Sequence, residues 1–218
     1  MGTPLKVSHL DWTGAARWYD KNADEFEMST LSLDVSEVMF DFLHGVPQGA
    51  RILDAGCGAG RDTRKFLDLG YEVGAFDASA EMIAATWANT GQRGDIRHIS
   101  FAQYDDPEGS WDAIWAMASL IHLPMAEITP TLARLLKSLT PGGRLYFCFK
   151  EGNGEGLDAR GRPTTSLSMD AACEIAAEAL PGCGMINSWK TTSASSSGEQ
   201  TEWINIILYP EDDSDPES

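Results

Sequence analysis

Three glycines at alternate positions, Gly56, Gly58 and Gly60, follow the apolar run Arg51-Ile-Leu-Asp-Ala and precede a helix-forming stretch that begins at Arg61. Glycine at these places permits a tight turn and lets a ligand approach backbone N–H groups. The spacing argues against two common phosphate sites. A dinucleotide loop has the form GxGxxG, but the sixth place is Arg61 counted from Gly56 and Thr63 counted from Gly58. A P-loop ends in GK[ST], which is also missing. Asp77 then closes the next apolar run, Tyr71-Glu-Val-Gly-Ala-Phe76. A carboxylate at that place can accept hydrogen bonds from both hydroxyls of a ribose. Together these signals point to a nucleoside ligand that carries no phosphates, as S-adenosylmethionine (SAM) does.

The elements that must position these residues alternate. Leu33–Leu43 reads as a helix, Arg51–Ala55 as a buried strand, Arg61–Leu69 as a helix stopped by Gly70, and Tyr71–Phe76 as a second strand. Ser79–Asn89 is helical with Ser79 as N-cap. Ile96–Phe101 and Asp112–Met117 are strands, Ile128–Leu139 a helix closed by Pro141-Gly142-Gly143, and Arg144–Lys150 a fifth strand. This alternation predicts an α/β class: a Rossmann-like, doubly wound seven-stranded sheet with helices on both faces. Met185–Thr192 and Glu202–Tyr209 read as a hairpin, so one edge should be antiparallel. Gly152–Pro163 is Gly-rich and polar, a substrate loop or lid on one reading and a loose insertion on the other. Residues 1–210 form one domain on this reading: a helical cap over 10–45, a core over 51–150, and a substrate loop, helix and hairpin over 151–210.

Charge and cysteines restrict the partners. The chain of 218 residues carries 16 Lys+Arg against 33 Asp+Glu, a net charge of −17, which disfavours nucleic acid and anionic lipid surfaces. Five of those acids lie in the tail 211–218, expected to be a solvated, disordered end, and the remainder is still strongly acidic. Cys57, Cys148, Cys173 and Cys183 show no CxxC pair and no zinc-ligand spacing, so no metal is expected. Met1–Leu10 lacks a signal-peptide core, and the longest nearly apolar stretch, Ala113–Leu123, is well short of the about 20 residues that span a bilayer. The expected location is the cytoplasm.

Ile52-Leu-Asp-Ala-Gly-Cys-Gly-Ala-Gly-Arg-Asp-Thr63, with Phe76-Asp77, Trp111-Asp-Ala-Ile-Trp115 and Leu139-Thr-Pro-Gly-Gly-Arg-Leu145, resembles the class I SAM-dependent methyltransferases over roughly residues 15–150. Ser119-Leu-Ile-His-Leu-Pro124 and Phe149-Lys150 are similar to the small bacterial members that include the tellurite-resistance type. The resemblance implies SAM as cofactor and S-adenosylhomocysteine (SAH) as product. It implies that Gly56, Gly58 and Gly60 pass the methionine and ribose portions, and that Asp54 meets the methionine ammonium. Asp77 takes the ribose diol. Ala78 and Met82 line the adenine, with helix core an equal alternative for Met82, and Phe101, Ala102 and Gln103 stand at the other adenine edge. Ala116 and Ala118 approach the sulfonium. Arg61 pairs with the SAM carboxylate or is a solvated helix-start arginine. Trp18-Tyr-Asp-Lys-Asn-Ala-Asp-Glu-Phe26 is similar to the family's N-terminal cap and supplies Tyr19.

Methyl transfer needs a base only when the nucleophile carries a proton of high pKa. His122 is the leading candidate, just beyond the fourth strand, followed by Tyr19 and Lys150. The run Ala116-Met-Ala-Ser119 lacks the [DNS]-P-P-[FYW] tetrad of nucleobase amino-methylation. What remains is a small-molecule or soft-anion acceptor, with Lys150, Arg160 and Arg162 as its candidate contacts. A SAM-binding protein without turnover is the alternative, and the sequence leaves open whether the chain is a monomer or a dimer.

Overall fold

The structure is a computed structural model that describes residues 10–180, 184–194 and 200–210. The acidic tail 211–218 lies outside the described residues. Apolar residues alternate with period two in the strands, and each parity packs on a different helix layer. Strand β1 (Arg51–Ala55) sends Ile52 to one face and Leu53 and Ala55 to the other. The same parity runs through β4 (Trp111–Ala116) and β5 (Leu139–Lys150). Ala113, Trp115, Tyr146 and Cys148 meet helices α3 (Ser36–Leu43) and α4 (Arg61–Asp68) through Val38, Met39, Phe42 and Phe66. Ile114, Ala116, Leu145 and Phe147 meet α6 (Met125–Lys137) and α7 (Met169–Ala179) through Ile128, Leu132, Ala172 and Ala176. Helix α5 (Ala80–Thr90) packs Ile83 on Ala75 of β2 (Glu72–Asp77) and Ile96 of β3 (Asp95–His98).

The sheet has seven strands in the order β3-β2-β1-β4-β5-β9-β8, closed by β8 (Met185–Ala194) and β9 (Gln200–Tyr209). Strand β9 is antiparallel to both neighbours, with Phe147 opposite Ile206 and Asn187 opposite Ile207. The other pairings are parallel, including Ile52 with Val73 on one side and with Ala113 on the other. Two short helices, α1 (Gly14–Lys21) and α2 (Ala23–Thr30), precede α3 and are tied to α5. Ser79 donates its hydroxyl proton to Asp20 at 2.6 Å, and Asn89 Nδ2 donates to Glu27 at 2.7 Å and to the Ala59 carbonyl at 2.9 Å.

Three segments differ from the sequence reading. Gly152–Pro163 is not a plain loop: β6 (Gly154–Leu157) and β7 (Pro163–Ser166) pair antiparallel across a turn in which Arg160 and Arg162 backbone N–H groups donate to Asp158. The third strand ends at His98, because Ser100 and Gln103 form a capping box that turns Phe101–Gln103 into a 3-10 helix. Thr140–Gly143 is not outside the strand but a bulge in β5, across which the register with β4 shifts.

Phe42 joins α3 to the sheet, fully buried with its ring 5.0 Å from Trp115 and 6.0 Å from Phe66. Phe42→Ala is expected to lower the unfolding free energy by about 3–5 kcal/mol, the range for an aromatic removed from a close-packed core. Equilibrium denaturation in urea measures it, and a loss below about 1 kcal/mol would mean that α3 does not hold the core as described.

Candidate active site

The connections leave β1 and β4 in opposite directions, so the carboxyl ends of these adjacent strands part and open a cleft of about 1410 Å³. The glycine loop folds over the end of β2: Gly56 and Cys57 N–H groups both donate to the Phe76 carbonyl at 2.9 Å. Gly58 N–H donates to Asp77 Oδ2 at 3.0 Å and Ser79 N–H to Oδ1 at 2.9 Å. Each carboxylate oxygen thus keeps acceptor capacity, and Asp77 lines the cleft. Burial raises its pKa while the backbone donors oppose the rise. Gly56 has φ of 82° and stands so close to Ser119 that an added Cβ would lie 2.4 Å from the serine Cβ. Gly60 differs from the other two. Its Cβ would meet Thr86 Cγ2 at 2.9 Å, and it is not part of the cleft wall, so it allows α4 to approach α5 rather than the ligand to approach the loop.

Asp54 lines the cleft, is 2% exposed, and accepts a 2.6 Å hydrogen bond from the Thr63 hydroxyl. Burial, reinforced by the negative charge of Asp62, pushes its pKa up to about 8. Arg61 also lines the cleft, but it is no solvated helix-start residue: Nε and Nη2 donate to the two Asp62 oxygens at 2.7 Å each. Trp115 Nε1 donates to the same carboxylate at 2.9 Å. Ala78, Phe101 and Ala102 border the cleft, with Phe101 edge-on to Phe76 at 5.1 Å. Met82, Gln103 and Ala116 do not border it. Met82 is 0% exposed and belongs to the interior. The Gln103 side chain folds back to accept from Ser100 N–H at 2.9 Å, a capping role that the Ser-x-x-Gln spacing could have revealed. Ala116 is fully buried in β4, and Met117, Ala118 and Ser119 form the rim instead. Ala118 sits in the left-handed region with φ of 51°, and its N–H reaches Cys148 Sγ at 3.2 Å.

Across the cleft, four side chains from three segments form one polar chain. His122 Nδ1 donates to the Pro163 carbonyl at 2.8 Å, since that oxygen can only accept, which leaves Nε2 as the acceptor in the neutral ring. The Tyr19 hydroxyl donates to Nε2 at 3.0 Å and accepts from Arg162 Nη1 at 2.6 Å. Asp158 holds Arg162 in turn, through Nη2 at 2.6 Å and Nε at 2.8 Å. Burial pushes the His122 pKa down to about 4 and the Tyr19 pKa up to about 12. Arg162 is therefore engaged with Asp158 and Tyr19, not held open for a substrate. Arg160 lies 5.5 Å from the Trp18 ring and Lys150 lies 5.9 Å from the Trp203 ring, and both line the cleft. The residue pattern gave no sign of Asp158, because its partner Arg162 is identified only by the turn between β6 and β7. Among the described residues no group of three His, Cys, Asp or Glu could hold a metal, and no helix is long and apolar enough to cross a membrane.

Residues 52–143 match a family described as a methyltransferase domain. The ubiquinone biosynthesis O-methyltransferase of Xanthomonas axonopodis pv. citri is 30% identical over 136 residues, 61% of this chain and 55% of that protein. The chain thus spans about 55% of the length of that curated relative. The Burkholderia thailandensis 1,6-didemethyltoxoflavin-N1-methyltransferase, solved with its substrate and SAH, superposes with a TM-score of 0.72 at 18% identity, covering 97% of this chain and 92% of that one. The [4+2]-cyclase SpnF shares the fold at a TM-score of 0.57 and 16% identity, covering 88% of this chain and 81% of that one. The finer likeness to the tellurite-resistance type rests on the motif residues alone. Strand order and glycine loop agree with that match: residues 52–143 are similar to a methyltransferase domain, on the fold that solved SAM-dependent methyltransferases share.

Proposed function

We propose that the protein transfers a methyl group from SAM to a small-molecule acceptor. The observation that carries the proposal is Asp77, held by Gly58 and Ser79 amides in the wall of a cleft that the Tyr19–His122 pair also lines. SAM, when bound, supplies an activated methyl group and a sulfonium leaving group for in-line displacement. Asp77 binds the ribose diol, and Gly56 and Gly58 let the nucleoside approach the loop. Asp54 receives the methionine ammonium, Arg61 lies at the carboxylate end, and Ala78, Phe101 and Ala102 flank the adenine.

His122 and Tyr19 act as a pair. A buried imidazolium would place a second positive charge beside a sulfonium, and burial keeps His122 neutral instead. For an acceptor bearing an O–H or N–H, its proton passes to the Tyr19 oxygen as the Tyr19 proton passes to His122 Nε2, and the imidazolium forms only as methyl transfer discharges the sulfonium, so the two positive charges do not coexist. Arg162, held by Asp158, fixes the Tyr19 oxygen for that exchange, and Lys150 and Arg160 attract an anionic acceptor. A cyclase shares the fold, so the fold alone does not fix methyl transfer, and the second reading is a chain that binds SAM without turnover.

The proposal is tested by following SAH release with oxyanions, thiols, amines and hydroxy compounds as acceptors; SAM binding without turnover on any of them selects the second reading. With the acceptor found, Tyr19→Phe and His122→Ala should each slow turnover roughly 10²–10⁴-fold while leaving SAM affinity unchanged. At saturating SAM the rate should show no inflection near 6.5, where an unperturbed histidine titrates. Unaltered rates in both variants would remove the proton-transfer role. Asp77→Ala should weaken SAM roughly 10- to 100-fold by calorimetry, the range of a lost hydrogen bond to a charged group. Asp54 provides a proton signature: burial and the Asp62 charge raise its pKa, and an arriving ammonium favours the carboxylate. SAM binding at neutral pH should release protons, read as a difference in heat between phosphate and Tris buffers. Equal heats, after correction for dilution, would detach Asp54 from the ammonium.

A further inference from the structure

The cleft is larger than the range of about 300–1,000 Å³ common for one drug-sized ligand, and its lining includes residues beyond the end of β5. Strand β5 stops at Lys150, which is paired with Trp203 of β9. The β8–β9 ladder continues past that point through Ser193 and Thr201. On this overhang Thr191, Ser193, Thr201 and Trp203 all border the same cleft as the glycine loop. Trp203 is set by its neighbours: its indole N–H donates to the Ser193 hydroxyl at 2.8 Å, which satisfies the ring edge and leaves the ring face as its remaining recognition surface. Behind it, buried Asn205 donates to Thr191 at 3.0 Å and accepts from the Tyr146 hydroxyl at 2.9 Å, so the wall is braced by Tyr146, itself stacked on Trp115 at 4.1 Å. Lys150 Nζ stands 5.9 Å from the Trp203 ring centre. Leu33 and Val35, from the segment that joins α2 to α3, and Val38 of α3 also line the cleft.

We infer that this overhang is the acceptor subsite and that it takes a planar aromatic ring bearing an anionic group, seated on the Trp203 face with its charge toward Lys150. The inference rests on the methyltransferase reading and narrows its acceptor class. An indole face favours a flat ring by offset stacking, and Lys150 adds a charge-assisted contact to an anion. The exposed acids Asp34 and Glu37 also border the cleft and disfavour an anion beside them, whereas Lys150 favours one. A neutral sugar, which would also stack on an indole, would make no use of the Lys150 charge.

The test uses the full chain saturated with SAH, whose own affinity is measured first. 4-Hydroxybenzoate and indole-3-carboxylate are then titrated against their neutral primary amides and against methyl α-glucoside. At least one carboxylate should bind about tenfold more tightly than its amide. Lys150→Gln should erase that difference, and Trp203→Leu should weaken the acid and the amide alike by about tenfold, with SAH affinity unchanged in both variants. If SAH binds but neither ring does up to about 10 mM (the weak end of non-covalent affinities), if acid and amide bind equally, or if only the glucoside binds, the subsite assignment is overturned. Absence of SAH binding would overturn the methyltransferase reading itself, and this inference with it.

Discussion

Two backbone N–H groups, those of Gly58 and Ser79, hold the Asp77 carboxylate at the end of β2, and much of the site is arranged around that pair of bonds. Gly58 can reach Asp77 only because the loop turns back at once, with Gly56 and Cys57 bonded to the Phe76 carbonyl. Ser79 is available because it is also the N-cap of α5, accepting from Met82 N–H at 3.2 Å. The same serine donates to Asp20, so one residue joins the cleft-lining Asp77, the start of α5 and the N-terminal helices. A buried carboxylate is costly unless its acceptors are used, and here backbone donors supply that compensation without adding a positive side chain. The negative charge therefore remains available to a ligand hydroxyl.

The opposite wall follows a complementary logic. Tyr19, His122, Arg162 and Asp158 satisfy one another across α1, the turn after β4 and the β6–β7 hairpin. Every polar atom in the chain has a defined donor or acceptor role, which fixes the histidine tautomer through the Pro163 carbonyl. The arginine charge is balanced by Asp158, so it orients the tyrosine without adding net charge beside the cleft. This is an electrostatic arrangement suited to a cationic leaving group.

The half of the site made from consecutive strand–loop–helix units was legible in the sequence. Gly56, Gly58, Asp54 and Asp77 owe their positions to local periodicity and turn chemistry, and both signals survive in a linear reading. Residues whose roles depend on facing elements were not legible. Met82 is interior because of how α5 lies on the sheet, and Gly60 faces Thr86 because α4 and α5 touch there. Arg162 met Tyr19 across 143 positions of sequence, through a hairpin whose glycines and polar residues gave no strand pattern. Trp203 borders the cleft although β9 is largely apolar, because β5 ends at Lys150 and the strand outruns its cover.

The division of labour among the loop glycines has a consequence for how such motifs are inherited. Gly60 answers to the contact between two helices, while Gly56 and Gly58 border the cleft. A descendant that ceased to use the ligand would keep steric reasons for glycine at both ends of the string, since an added Cβ would lie 2.4 Å from Ser119 Cβ at Gly56 and 2.9 Å from Thr86 Cγ2 at Gly60, and φ of 54° at Gly58 would still strain any other residue. The glycine string would thus outlast the chemistry, a record of the fold before it is a record of the ligand.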